Sequence, residues 1–162
     1  MHSTTFHTIV SGGQTGADQG ALDAALKIGH PCGGWCPKGR RSEDGRIAQR
    51  YPLTEHESEW YQARTEANVL DSDGTLVLSV GQPSGGTKET IDLAREHGKP
   101  CMVVDLEEQS PEDPDLHQEI WEWGERNHIG VLNVAGPRAS KEPKMQDMVE
   151  TVVSKVLSQG RG

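Results

Sequence analysis

Short aliphatic runs at 8–11, 75–80, 101–106 and 131–135 alternate with longer amphipathic stretches, and this alternation constrains the fold more than any other feature of the chain. It is the pattern of parallel strands joined by crossover helices. The first run leads directly into Gly12 and Gly13 and then a helix predicted over 15–28, closed by Gly29. A helix over 58–70 precedes the second run, which passes through Gly-Gln-Pro-Ser-Gly-Gly into a helix over 87–97, stopped by Gly98 and Pro100. Further helices are expected over 114–127 and 141–157, the last with Met145, Met148, Val149, Val152, Val153 and Val156 at helical spacing. Residues 31–57 show little periodicity beyond a short strand at 34–36 and read as a long ordered loop of the kind that carries function. The expectation is an α/β, Rossmann-like three-layer sandwich with a mostly parallel sheet of about five strands. At 162 residues, one domain over 1–162 suffices to bury a core.

Ligands of open parallel sheets bind beyond the carboxyl ends of the strands. Three such ends carry Ser11-Gly12-Gly13-Gln14-Thr15-Gly16, Pro83-Ser84-Gly85-Gly86-Thr87 and Gly136-Pro137-Arg138. Glycine lets backbone approach a phosphate, and the first amides of the following helix point at an anion. The candidate phosphate contacts are therefore Gly12, Gly13, Gln14, Thr15, Ser84, Gly85, Gly86, Thr87 and Arg138. Neither glycine string is followed by Gly-Lys-Ser/Thr, and neither matches G-x-G-x-x-G, so ATPase and standard dinucleotide sites are disfavoured. Gly16 and Gly20 are read as allowing close helix packing. The loop adds Lys38, Arg40 and Arg41 as cations for a phosphate clamp and Trp35 as a surface for a flat ring. Glu43 and Asp44 could instead neutralise those arginines. Asp18, on the first helical turn, is either a ligand acceptor or general base, or a residue that merely favours its helix dipole. Glu59, Trp60, Tyr61, Arg64 and Glu66 read as helix surface.

The net charge of −9 argues against nucleic-acid polymers and anionic membranes, although residues 105–125 hold nine of the acids and the arginine loop is locally basic. Three cysteines cannot all pair, and Cys32-x-x-x-Cys36 has no second Cys or His pair at ligand spacing, so no structural metal is expected. With neither a signal-peptide run nor an 18-residue apolar stretch, the expected location is the cytoplasm.

Three strings together, 11–18, 34–41 with Glu43-Asp44-Gly45, and 133–138 with Ser140-Lys141, resemble the family of proposed molybdenum carriers. This is a circularly permuted YpsA-like branch of the SLOG superfamily, which also holds the "lonely guy" phosphoribohydrolases and lysine-decarboxylase-like proteins. The resemblance runs nearly end to end. It implies a Rossmann-like homo-oligomer, dimer or tetramer, that binds a nucleotide or carries molybdenum cofactor (molybdopterin) as cargo for a molybdoenzyme. The superfamily's hydrolases use P-G-G-x-G-T-x-x-E; here the glycine string is shortened and Thr90 stands where the acid would fall. Asp18, Glu43, Asp44 or Glu89 would have to substitute if the chain were a nucleotide N-glycosidase. A third reading is a nucleotide sensor that signals through residues 105–125, a segment that reads equally well as a solvated helix face.

Overall fold

The computed structural model describes residues 4–160. Five parallel strands form the main sheet: β1 (Thr8–Val10), β2 (Cys32–Gly33), β7 (Gly74–Ser79), β8 (Cys101–Asp105) and β9 (Val131–Ala135), in the order β2-β1-β9-β7-β8. Four two-residue strands lie in the loop between β2 and the second helix: β3 (Trp35–Cys36), β4 (Arg41–Ser42), β5 (Gly45–Arg46) and β6 (Thr54–Glu55). The helices are α1 (Ala17–Lys27), α2 (Tyr61–Asp71), α3 (Gly85–Glu96), α4 (Pro114–Arg126) and α5 (Met145–Gln159). The expected three-layer α/β sandwich with a five-stranded sheet is what forms.

Helices α1, α4 and α5 pack together on one face of the sheet, and α2 and α3 on the other. The larger core joins Ile9, Leu76, Leu132 and Val134 of the strands to Ala21 and Ala25 of α1, Ile120 of α4 and Val152 of α5. On the opposite face Val69, Leu93 and Ala94 form a smaller cluster with Cys101. Burial pushes the thiols of Cys32, Cys36 and Cys101 above their ordinary value. Among the described residues no helix is long and apolar enough to cross a membrane.

The boundaries differ from the expected ones where proline and glycine act. Pro143 lacks the N–H a helix interior needs, so α5 starts at Met145 rather than 141. The third helix starts at Gly85 rather than 87, so Gly85 and Gly86 belong to its first turn and Ser84 occupies the N-cap position. The loop over 31–57 is held by polar bonds that leave no periodic trace. Arg40 is buried, and its guanidinium donates to the carbonyls of Ile47 (3.2 Å), Ala48 (2.7 Å), Tyr51 (3.0 Å) and Leu53 (3.5 Å). Asp23 of α1 accepts from Tyr51 Oη (2.8 Å), Arg50 (2.9 Å) and Gln146 of α5 (2.8 Å), which fastens loop and helices together.

The chain passes from β1 to β2 on one side and from β7 to β8 on the other, with β9 between the two halves. The carboxyl ends of β1, β9 and β7 are therefore neighbours at the point where strand order reverses, which is where such sheets form crevices. Two glycines let these ends close up. Gly16 has φ 84° and ψ −127°, and a Cβ there would stand 2.5 Å from the Pro137 carbonyl. One on Gly136 would stand 2.3 Å from the Leu78 carbonyl. Gly20, in turn, faces the start of α5, 2.4 Å from the Gln146 carbonyl by the same construction.

Two alanine substitutions separate close approach from backbone strain. Gly29 also has positive φ (67°) but open space around it, so Gly29→Ala should cost about 1 kcal/mol. Gly16→Ala carries the strain and the clash together and should cost about 3 kcal/mol in urea unfolding. Equal losses would mean that the contact with Pro137 does not restrict the fold.

Candidate functional site

The two glycine strings differ in what their amides do. In the first, Gly13 N–H donates to Ser11 Oγ (3.4 Å), Gln14 N–H to Asp18 Oδ2 (3.2 Å) and Thr15 N–H to Gln14 Oε1 (3.1 Å). The amide of Gly12 also serves the Asp18 carboxylate. The string has closed around the chain's own buried acid. Its glycines make room for neighbours: a Cβ on Gly12 would fall 1.9 Å from Arg64 Nη1, and one on Gly13 would fall 2.3 Å from Leu53 Cδ1. Gly12, Gly13 and Thr15 do not line the cleft beside them.

The second string is open. Ser84 makes no side-chain cap bond, a Cβ on Gly86 would meet nothing within 4 Å, and one on Gly85 would meet only Lys141 Nζ, at 2.9 Å. These first amides of α3 face a cleft of about 240 Å³ lined by Ser84, Gly86, Thr87 and Glu89 of this segment. Gln14 and Asp18 line it from β1 and α1, Tyr61, Arg64 and Thr65 from α2, and Arg138 and Lys141 from beyond β9.

Asp18 is buried, with Arg64 Nη1 3.6 Å from its Oδ2. Desolvation pushes its carboxyl above the ordinary value, against the pull of Arg64, the Gln14 amide, Arg138 and the Gly12 amide. The guanidinium carbons of Arg138, Arg64 and Arg41 stand 5.5, 5.6 and 5.8 Å from the centre of the Tyr61 ring. Each is within cation–π reach. Among the described residues Arg41, Arg138 and Lys141 form no ion pair.

Glu43, at the tip of the β4–β5 hairpin, ties three loops together. Its carboxylate accepts from the Thr15 hydroxyl, from Ser140 Oγ (2.5 Å) and from Ser140 N–H (3.1 Å), while its own amide donates to Gln14 Oε1 (2.9 Å). A desolvation penalty opposes them, but the bonds from Ser140 and Thr15 prevail and hold its carboxyl below the ordinary value.

Other expected contacts lie elsewhere. Arg40 spends four of its five guanidinium N–H donors on loop carbonyls, is buried beneath the loop and does not line the cleft. Lys38 is exposed and does not line the cleft. Asp44 accepts from Ser42 Oγ (2.5 Å) within its own hairpin. Trp35 Nε1 donates to Asp71 (2.6 Å) with the ring edge-on to His56, which removes it as a platform for the cleft. Arg64 and Tyr61, read as helix surface, line the cleft instead. Their signal was the spacing of Tyr61, Arg64, Thr65 and Asn68, which puts four polar-tipped side chains on one face of α2. No group of three His, Cys, Asp or Glu that could hold a metal ion occurs among the described residues.

The sequence profile of the circularly permutated YpsA SLOG family matches residues 9–157. The chain belongs to that family. The crystal structure of the "Putative molybdenum carrier protein" of Syntrophus aciditrophicus SB superposes with a TM-score of 0.91 at 45% identity, over 94% of this chain and 96% of that one. No curated protein matches the chain. Family and neighbour agree with the resemblance carried by the three motifs.

The Glu43 tie has a pH signature. Its folded carboxyl titrates below the unfolded value near 4.5, so its contribution to stability is complete above that pH and is lost as pH falls through the lower folded value. Urea midpoints from about pH 5 to about pH 3 should therefore fall more steeply for wild type than for Glu43→Gln. Parallel curves would show that Glu43 does not hold the loops.

Proposed function

We propose that this protein binds a phosphorylated heterocycle in the cleft at the ends of β1, β9 and β7, as a carrier of the molybdopterin type. The observation that carries the reading is electrostatic. In a chain of net charge −9, Arg138 and Lys141 line one cleft without carboxylate partners, beside the uncapped first turn of α3. Phosphate is the group such a combination suits, because helix amides and cations held in no ion pair both favour a dianion. In this reading Gly85, Gly86 and Thr87 supply amides, Thr87 and Ser84 add hydroxyls, and Lys141 and Arg138 supply charge. The ring lies toward Tyr61, Gln14 and Asp18. The same reading makes the chain one cytoplasmic domain that forms a homo-oligomer and passes its cargo to a molybdoenzyme. Light scattering at the monomer mass of 17.7 kDa would remove the oligomer from it.

A hydrolase reading keeps one specific support, the carboxyl of Asp18 raised by burial within the cleft, which suits a general acid. Thr90, at the position of the superfamily's acid, donates its hydroxyl to the Gly86 carbonyl (3.0 Å) and brings no carboxylate. Release of free base from nucleoside monophosphates, abolished by Asp18→Asn, would favour this reading over the carrier.

The first test is the content of the protein as purified. Mass spectrometry of the denatured protein, with elemental analysis for molybdenum, should show a phosphorylated pterin with metal, absent from Gly86→Asp. That variant places a carboxylate in open space at a helix start, so its melting temperature should not fall. Arg138→Ala and Lys141→Ala should each weaken binding by about 10- to 100-fold. A Gly86→Asp protein that retains the ligand would overturn the assignment of the phosphate end.

A further inference from the structure

Two buried donors of the cleft have no partner. Gln14 is 5% exposed and its Nε2 makes no hydrogen bond, and Arg64 Nε is likewise unpaired. Both residues line the same cleft and both meet Asp18 Oδ2, Gln14 through its main-chain amide and Arg64 through Nη1. The Gln14 side-chain amide cannot turn over to hide its donor. Its oxygen accepts from two main-chain N–H groups, Thr15 at 3.1 Å and Glu43 at 2.9 Å, and an amide nitrogen could serve neither. Buried donors without acceptors are costly and uncommon in native proteins, and at a cleft wall a ligand atom is the natural acceptor.

The surrounding charge decides what kind of acceptor fits. Arg64 is opposed by Asp18, and Gln14 is neutral, so this end of the cleft offers donors with little net positive charge. At the other end Lys141 and the start of α3 have no ion-pair partner among the described residues, with Arg138 following the strand between the two ends, and a dianion goes there. Gln14 follows β1 and Ser84 precedes α3 after β7, with β9 between the two strands. Two strand spacings, roughly 10 Å, therefore separate the ends, a span that a phosphate and the far edge of a nucleotide-sized ring can bridge.

We propose that the Gln14–Arg64 end is a subsite for a ring carbonyl oxygen, so that the protein selects oxo-heterocycles over amino-heterocycles. This deepens the proposed function and rests on its assignment of the phosphate end. The two nucleotides IMP and AMP probe it directly, since position 6 bears a carbonyl acceptor in one and an amino donor in the other.

Titration calorimetry with ribose 5-phosphate, IMP and AMP should show all three binding, with IMP about tenfold tighter than AMP, the value of one hydrogen bond to a buried donor. Gln14→Glu keeps an oxygen for the Thr15 and Glu43 amides and replaces the free donor by an acceptor. It should abolish or reverse the preference, and Gln14→Met, which lacks the donor without adding charge, should abolish it. Equal affinities for IMP and AMP in wild type, with ribose 5-phosphate bound, would overturn the subsite and leave the phosphate end standing. A preference that survives in both variants would overturn it too. No binding of any of the three would remove the phosphate reading and the subsite with it.

Discussion

A carboxylate removed from water has to be compensated, and in this protein the compensation of Asp18 organises everything around it. The acid sits on the first turn of α1, buried beneath the loop that leads into it. Its partners come from two directions: the amides of Gly12 and Gln14 within that loop, and Arg64 from α2 across the sheet edge. The first draws the glycine loop inward. The second brings α2 over the strand ends and needs a residue without a side chain at position 12, because the guanidinium occupies the space a Cβ would take. A site that looks assembled from separate loops is thus built outward from one buried charge.

This arrangement explains why two similar glycine strings take opposite roles. The anion that the first string could hold is already supplied by the protein, four residues downstream of Gln14. The second string has no acid at the corresponding place. Thr90, four residues after Gly86, returns its hydroxyl to the helix backbone, so the first amides of α3 stay free for something from outside. The charges of the cleft differ accordingly: Arg64 is paired with Asp18 at the β1 end, and Lys141 beside the start of α3 has no ion pair among the described residues. With the rest of the chain strongly acidic, that difference is a local feature of the cleft rather than of the surface as a whole.

The layers and four of the five sheet strands were legible because they rest on apolar periodicity, whereas β2 at 32–33 lies in the segment read as loop. The run at 131–135 became β9 with the same ends, and the valines and methionines at 145–156 became the buried face of α5. What was not legible depends on which polar atoms meet. Arg40 and Arg64 look alike in sequence, yet one spends its donors on four loop carbonyls and the other pairs with a buried acid in the cleft. The order of residues 31–57 is invisible to hydropathy for the same reason. Its anchors are the bonds of Arg40 within the loop and the long-range contacts Asp23–Tyr51 and Glu43 to Thr15 and Ser140, polar bonds that composition and spacing do not encode. Trp35 shows the converse: an aromatic flanked by cations in sequence, but turned away to Asp71 and His56 in the fold.

The distribution of the acids also bears on binding against turnover. A catalytic carboxylate needs an unshared lone pair or proton near the bond that breaks, and binding energy that grows toward the transition state. Here Asp18 is paired with Arg64 and two amides before any ligand arrives, Glu43 is taken up by Thr15 and Ser140, and Asp44 by Ser42. Glu89 is the carboxylate of the cleft without such a partner, and it stands one residue before the threonine that replaces the superfamily's acid. Carboxylates already satisfied in the resting protein are poorly placed to take up or give a proton as a bond breaks. That distribution of the acids supports the proposed retention of a ligand over its turnover.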